Sequence, residues 1–471
     1  TMSAQMASIV IQLASLVILS RILAPEDFGV IAMITAITAL MGLFRDMGLS
    51  TAAVQRGNLT YEQTNSLFWL NTAAGSLLTL LVIALSPVVA WFYKDPKLQP
   101  VTALLALTFA LSGIGGQHAA LLQRELRFKH KATAETSGAI VNMVLAIGLA
   151  LIDFSYWALA WGTLAGTLVT TSLYFVFSDF RPSSPRRANG IRELIGFGAH
   201  VTGFELVNYF HRNLDNVLIG RFWGAVELGF YSRAYQMMML PINSLRAPIN
   251  AVAFPVLSKL KDDPTEFRRY YCQIASLLAF ISMPLMAFLI ANARDVVHVA
   301  LGPKWDSVAP IFVLLGVTGF IQPIASLRGL VMLSTGRSVR YLAWGVANAA
   351  AVSIAFCIGT VWGPIGVAAA YAVSNYLILY PSLIFAFRDT PLKPVDFFST
   401  AALPACASIV AAAVGRLASD HFQIGGQIGS LTLSLAIFCG AFAVICTVVP
   451  SGRRTVLSYR NLALVALRKK T

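Results

Sequence analysis

Acidic residues are scarce in this chain. Only 21 Asp and Glu stand against 35 Lys and Arg in 471 residues, and charged residues of both signs make up just 12%. A soluble domain carries about 25%, so a water-bathed globule is excluded. No polar segment between the apolar runs is long enough to form a separate soluble domain, so any chemistry must sit in the membrane or in short loops. Cysteine is sparse as well. Cys272, Cys357, Cys406, Cys439 and Cys446 fall singly in apolar runs without CxxC or Cys/His ligand spacing; they read as packing residues, and neither a disulfide nor a metal site is expected. There is no GxxxxGK[ST] loop, HExxH helix or GxSxG elbow, which removes the usual phosphate-loop, zinc-protease and serine-hydrolase routes to function. No cofactor is expected, and the reading is not that of an enzyme.

What is present is apolar surface: 57% of the residues are hydrophobic and the mean hydropathy is +0.71. Runs of span length, about 17–25 residues, recur from end to end. They predict an all-α integral membrane protein with about fourteen spans, near 2–22, 29–52, 65–92, 101–122, 134–153, 156–178, 194–219, 229–255, 270–291, 307–333, 340–360, 364–387, 396–416 and 427–449. The chain runs from Thr1-Met2 straight into an apolar stripe, so a basic leader is expected ahead of it. A cleaved signal peptide is not expected, because no small-residue cleavage site follows the first span.

The net charge of +14 has a topological pattern rather than that of a nucleic-acid surface. With the N-terminus inside, "QRELRFKHK", "RPSSPRR", "KLKDDPTEFRR" and the tail "RNLALVALRKK" all fall on the cytoplasmic side. Of the 35 Lys and Arg, about 23 then lie inside, about 7 outside and about 5 within spans. Both termini are therefore expected in the cytoplasm. The aromatic "WFY" at 91–93 and "YW" at 156–157 are placed at the outer interface as anchors.

The sequence matches itself at an offset near 200. "RILAPEDFG" (21–29) meets "RFWGAVELG" (221–229), so that Arg21 and Gly29 recur as Arg221 and Gly229, with Asp27 answered by Glu227. "LFRD" (43–46) meets "SLRA" (244–247), pairing Arg45 with Arg246, and "LLQRELR" meets "VMLSTGR" at an offset of 210, which pairs His118 with Arg328. The common order of these matches predicts two copies of six spans in the same orientation, a transporter plan with its site between the lobes. The lobes are expected at 1–180 and 193–390, followed by two additional helices at 394–450 and a basic cytoplasmic tail at 451–471.

Polar residues inside spans point to that site. At 100° per residue, Glu205, Asn208, Arg212, Asp215 and Asn216 fall within about 100° of arc. Internal pairing of Arg212 with Asp215, three residues apart, is one explanation. Subtracting 200, however, takes the first four positions to Gln5, Ser8, Gln12 and Ser15, so the same face is polar in both copies. A shared water-filled cavity accounts for that better than two separate interfaces. Arg45 and Arg246 form a second pair at matching depth. Asp46 beside Arg45 offers it a structural partner, whereas Asn243, Arg246 and Asn250 share one helix face with no acid near in sequence. Arg233 and Arg328, with His118, extend a basic lining suited to an anionic head, because guanidinium grips phosphate bidentately and stays charged. Glu205, Asp215 and Asp46 are candidates for coupling to a proton or sodium gradient, with Arg212 pairing with Glu205 or Asp215 when substrate is absent. Pro241, Pro248, Pro255 and Pro323 are expected to kink their helices, and "GTLAG" (162–166) to pack one helix on another.

These residues also carry a family likeness. "RILAPEDFGVIAM…DMGLSTAAVQR", "LFWLN", "LLQRELRFK" and "DNVLIGRFWGAVELGFYSRAYQMMMLPI…FPVLSKLKDD" resemble the polysaccharide-transport, Wzx-like flippases of the multidrug/oligosaccharidyl-lipid/polysaccharide exporter superfamily, over about residues 15–390. The resemblance implies two six-helix lobes plus two helices, a cavity open alternately to either side, and a place in the bacterial inner membrane. It also implies the substrate: an undecaprenyl-pyrophosphate-linked oligosaccharide repeat unit, moved outward for exopolysaccharide or capsule assembly among membrane lipids, a polysaccharide polymerase and a co-polymerase. Two alternatives stand beside it. A cation or drug antiporter of the same superfamily would favour an acidic, aromatic lining. A polytopic polymerase or glycosyltransferase would carry a long catalytic loop.

Overall fold

The computed structural model describes residues 2–46, 60–185, 191–422, 426–449 and 453, with side chains for all of these except 2–4, 44–46, 191–208, 210–211 and 247. Among them there is no strand. The helices are α1 (Met2–Ile22), α2 (Pro25–Asp46), α3 (Tyr61–Tyr93), α4 (Leu98–Arg124), α5 (Phe128–Ala150), α6 (Ser155–Phe177), α7 (Ile191–Lys259), α8 (Pro264–Ala291), α9 (Ala293–Ala300), α10 (Val308–Ala325), α11 (Leu327–Ser334), α12 (Ser338–Gly359), α13 (Gly363–Phe387), α14 (Pro394–Phe422) and α15 (Gly426–Val448). Eleven stretches of the described chain are long and apolar enough to cross a membrane, and one of them, 338–387, comprises both α12 and α13. This is the all-α multi-pass architecture expected from composition.

By their contacts the helices group into two units, Thr1–Ser232 with Gly345–Val367 and Arg233–Trp344 with Ala368–Thr471. In the first, α3 packs on α4, α5 on α6 and α1 on α5. Small residues set these spacings. Gly162 and Gly166 of the "GTLAG" motif meet α5 so closely that a Cβ on either would lie 2.7 Å from Asn142 Oδ1 or Gly138 O respectively, and the packing role expected of the motif holds. A strap of extended chain lies along α3. The Asn65 side-chain amide donates to Ser184 O (3.0 Å) while its oxygen accepts from Ser183 N (2.9 Å). One turn to either side, Tyr61 Oη donates to Arg181 O and Trp69 Nε1 to Ser183 O, both at 2.7 Å. Residues 61, 65 and 69 form one helical stripe, which pins the backbone that leads out of the first copy.

In the second unit, the α14–α15 pair packs on α8, which also contacts α10. Phe267, Tyr271, Leu278, Phe397 and Leu383 are fully or almost fully buried in one apolar cluster there. The Arg268 guanidinium donates to Asp396 at 2.6 Å and anchors the start of α14.

Helix α7 contains the positions of two expected spans. Its one residue with non-helical dihedrals is Gly224, at φ 86°, ψ −177°, a left-handed region where a Cβ would be strained. The kink therefore falls at a glycine. Pro241, Pro248 and Pro255 remain inside the helix with helical dihedrals. On the α10–α11 run the interruption comes at Ser326, three residues after Pro323, and Ser326 Oγ donates to Pro323 O at 2.6 Å.

The kink brings the second copy of the repeated motif onto the first. A Cβ on Gly29 would overlap the carbonyl oxygen of Ala225, and a Cβ on Gly229 would overlap that of Pro25. Adding 200 to Pro25 and Gly29 gives Ala225 and Gly229. The contact is thus reciprocal: each copy offers its glycine to the equivalent carbonyl of the other, as expected about a local two-fold axis. Nearby, Asp27 is buried, accepting from Ala24 N at 2.8 Å and from the Ser155 hydroxyl at the start of α6. Trp223 Nε1 in turn donates to Thr360 O at 2.8 Å, just before α13. The start of α2 is thereby tied to the start of α6, and the turn of α7 to the backbone just before α13.

Candidate functional site

In the first unit the polar stripe of α1 is open. Gln5 and Gln12 are exposed, Ser8 and Ser15 partly so, and Gln12 Nε2 donates to Ser8 Oγ at 3.2 Å. The matching stripe on α7 divides. Glu205 and Asn208 lie outside the residues with described side chains. Arg212 is exposed and Asp215 is buried. Asp215 accepts from Tyr231 Oη and from Asn216 N, both at 2.8 Å, and among the described residues no ion pair joins it to Arg212. The expected Arg212–Asp215 pairing is therefore corrected. The kink at Gly224 folds Tyr231 back onto Asp215, and a neutral hydroxyl satisfies the carboxylate without the cost of burying a guanidinium. Earlier on the same helix, Tyr209 donates its hydroxyl to Ala36 O, tying α7 to α2.

His118 does not line an open face. It is fully buried, with its ring centroid 4.8 Å from that of Phe175, 5.5 Å from Phe180 and 5.7 Å from Phe68, and neither ring nitrogen has a hydrogen-bond partner. Its expected place in a basic lining is replaced by an aromatic enclosure, since α3, α6 and the chain after α6 converge on that side of α4. Arg45 and Asp46 fall on α2 but outside the described side chains.

In the second unit the Asn243–Arg246–Asn250 stripe persists on α7. Asn243 is exposed and Arg246 half-buried with no carboxylate partner among the described residues, while Asn250 Oδ1 is buried without a hydrogen-bond donor. A guanidinium and an unused amide oxygen one turn apart can receive an anionic, hydroxyl-rich group. Arg233 is committed locally, donating to Gln236 Oε1 at 2.6 Å. Arg328 donates to the Ser382 hydroxyl and lies over the Trp344 ring, 5.3 Å from its centroid. It is held within a helix interface rather than presented freely, so two of the four arginines offered from this unit and α7, Arg246 and Arg212, remain uncommitted among the described residues.

Sequence reasoning missed several groups. Thr318 Oγ1 and Gln322 Oε1, one turn apart on α10, are buried without partners, as are both side-chain polar atoms of Asn71 and of Gln117 in the first unit. Gly319, between the first two, meets Met238 and Ile242 of α7. A single polar residue in an apolar run gives no periodic signal, so periodicity leaves these positions unmarked.

A family model described as "Polysaccharide biosynthesis protein" matches residues 18–310. The teichuronic acid biosynthesis protein TuaB of Bacillus subtilis is 29% identical over 439 residues, covering 89% of this chain and 87% of that protein. The succinoglycan biosynthesis transport protein ExoT of Rhizobium meliloti is 25% identical over 461 residues, covering 96% and 91%. The lipopolysaccharide biosynthesis protein WzxC of Escherichia coli is 27% identical over 331 residues, covering 69% and 66%. Among solved structures, the lipid II flippase MurJ in an inward closed conformation superposes with a TM-score of 0.79 at 13% identity, over 98% of this chain and all of that one. An inward-facing multidrug transporter of the MATE family of the MOP superfamily gives 0.63 at 14% identity, over 80% and 93%. The fold is that of this superfamily.

Proposed function

This chain belongs to the polysaccharide biosynthesis protein family, and from that premise we propose that it is a flippase that carries a lipid-linked oligosaccharide across the bacterial inner membrane by alternating access. The carrier lipid is undecaprenyl pyrophosphate, as the family resemblance implies, and the product is a repeat unit for an exopolysaccharide or capsule, delivered to a polymerase and co-polymerase. One observation carries the reading of the cargo: Arg246 stands with Asn243 and Asn250 on one face of α7, without a carboxylate partner among the described residues. A cation antiporter needs the opposite charge there. The direct test is leaflet exchange of a lipid-linked oligosaccharide by the purified chain in liposomes. A rate equal to that of empty liposomes overturns the proposal.

The proposed orientation places both termini in the cytoplasm and the Gly29–Gly229 end outside. In intact cells, cysteines introduced at Lys97, just before α4, and at Lys129, in the first turn of α5, should react with an impermeant thiol reagent from opposite faces, the first from outside. Labelling of both from one face overturns the topology.

The coupling ion is a proton or sodium, and the proposed site lies on the first half of α7. An arriving pyrophosphate competes for Arg212, which frees Glu205 to take up the ion, so that substrate and ion favour different states of the carrier. Glu205→Gln should keep substrate binding but lose the dependence of transport on an imposed gradient. Asp215, already tied to Tyr231, is the second position to neutralise. Wild-type gradient dependence in both Glu205→Gln and Asp215→Asn would place the coupling elsewhere.

A further inference from the structure

At the loop end of the first unit, α3, the start of α4 and the turn of α7 frame an open pocket that the transport reading does not use. Its volume is about 420 Å³, and Ala90, Trp91, Lys94, Pro96, Gln99 and Arg221 line it. That is the size of a small-ligand site. Two of the six residues are cations. Neither Lys94 nor Arg221 has a carboxylate partner among the described residues, whereas Lys97, three residues on, is committed to Glu26 at 2.6 Å. Arg221 is held without being neutralised, 5.6 Å from the centroid of Phe92 and 5.9 Å from that of Phe222.

The position of the pocket says where its ligand comes from. Leu77, Leu80, Ala84, Val88 and Trp91 recur at spacings of three and four along α3 and are all exposed, while Leu78, Val82 and Val89 are buried against neighbouring helices. In a spanning helix such an exposed apolar stripe is the lipid-facing side. Trp91, 77% exposed, ends the stripe at the depth where indole rings sit among headgroups. A water-borne anion has no use for an apolar track leading to its site; a lipid does.

We infer that this pocket binds the phosphate of an anionic phospholipid, gripped between the Lys94 ammonium and the Arg221 guanidinium, with the acyl chains lying along the Leu77–Trp91 stripe. Gln99 supplies an amide for a headgroup hydroxyl. Ammonium and guanidinium both favour phosphate oxygens, and only a net-negative headgroup keeps both cations satisfied. The inference needs the chain to span a membrane but not any particular cargo, so it can fail while the flippase reading stands.

The test uses the full chain in detergent, titrated with phosphatidylglycerol, phosphatidylcholine or undecaprenyl diphosphate, with bound lipids counted by native mass spectrometry. Phosphatidylglycerol should be retained about tenfold more tightly than phosphatidylcholine. Lys94→Gln combined with Arg221→Gln should reduce that preference to near unity, and Lys97→Gln should leave it unchanged. With the wild-type chain, a photoactivatable phosphatidylglycerol should cross-link to the peptides containing residues 91–99 and 221, which keeps the inference testable if the double variant does not fold. Equal retention of the two phospholipids, an unaltered preference in a folded double variant, or cross-links elsewhere would overturn it. Tighter, charge-dependent retention of undecaprenyl diphosphate would overturn the phospholipid assignment and give the pocket to the carrier lipid.

Discussion

Gly29→Ala and Gly229→Ala should each cut transport more than tenfold while leaving the chain inserted in the membrane. The added methyl group would overlap the carbonyl oxygen of Ala225 in one case and of Pro25 in the other. Both obstacles are backbone atoms, so no rotamer change relieves the clash, and the two helix starts must separate. Overpacking of this kind costs about 1–3 kcal/mol, and each 1.4 kcal/mol shifts a two-state population about tenfold. The penalty falls only on a conformation in which these ends touch. If the proposed cycle opens this end to release cargo, the variants should accumulate open there, because a change that affects one state alone shifts the population toward the other. With the five native cysteines replaced by alanine, Gln12→Cys should then react faster with an impermeant thiol reagent from outside in either glycine variant. Wild-type transport in both variants would show that the contact does not gate the cycle, and slow transport without faster labelling would reduce it to a packing contact.

That contact was half legible in the sequence. The match of "RILAPEDFG" with "RFWGAVELG" identified Gly29 and Gly229 as equivalent, because a repeated motif survives as a string. Nothing in the string says that equivalent residues touch. This required the break at Gly224, where a φ of 86° turns the chain back and sets the second copy of the motif against the first. The break itself falls between the expected spans 194–219 and 229–255, at a glycine rather than at any of the prolines further along the helix. A proline forfeits one hydrogen bond and can be absorbed in a long helix, whereas Gly224 holds a conformation that strains every other residue type.

Helical periodicity proved a good guide to faces and a poor one to neighbours. Asn243, Arg246 and Asn250 were placed on one stripe by 100° steps, and that stripe carries an uncommitted guanidinium beside an unpartnered amide oxygen. The same arithmetic put Arg212 and Asp215 together, yet the carboxylate is taken by Tyr231 from sixteen residues further along the chain. His118 and Arg328 were matched through the repeat, but each turns into a local interface, the histidine among phenylalanines and the arginine onto Trp344 and Ser382. A repeat preserves position in the chain, while the partner of a buried polar group depends on which side chains the neighbouring helices bring. The strap held by Tyr61, Asn65 and Trp69 was invisible for a related reason: its bonds go to backbone atoms of residues 181–184, which carry no sequence signature.

Arg246→Ala should reduce transport of the lipid-linked oligosaccharide more than tenfold, and Arg246→Lys should restore part of it. The guanidinium is half-buried and has no carboxylate partner among the described residues, so removing it leaves no buried acid unpaired, and the folded chain should survive. What is lost is a charge-assisted contact to the pyrophosphate, worth about 1.5–3 kcal/mol. Lysine keeps the charge but cannot make the bidentate bond, hence the partial recovery. Asn250→Ala should cost less, about 1 kcal/mol, because a neutral amide contributes one ordinary hydrogen bond. The order of effects separates substrate binding from structure. A binding role predicts that Arg246→Ala lowers affinity for the pyrophosphate-bearing lipid while the unfolding temperature hardly moves. Arg45→Ala, at the equivalent position of the first copy, should behave in the same way if both copies grip the phosphate. Normal transport by inserted Arg246→Ala would remove the arginine from the site, and loss of transport together with a large fall in unfolding temperature would make it a structural residue. Either result would leave the family membership intact and send the search for the phosphate contact to Arg212, the other of the four candidate arginines on α7 and α11 that is uncommitted among the described residues.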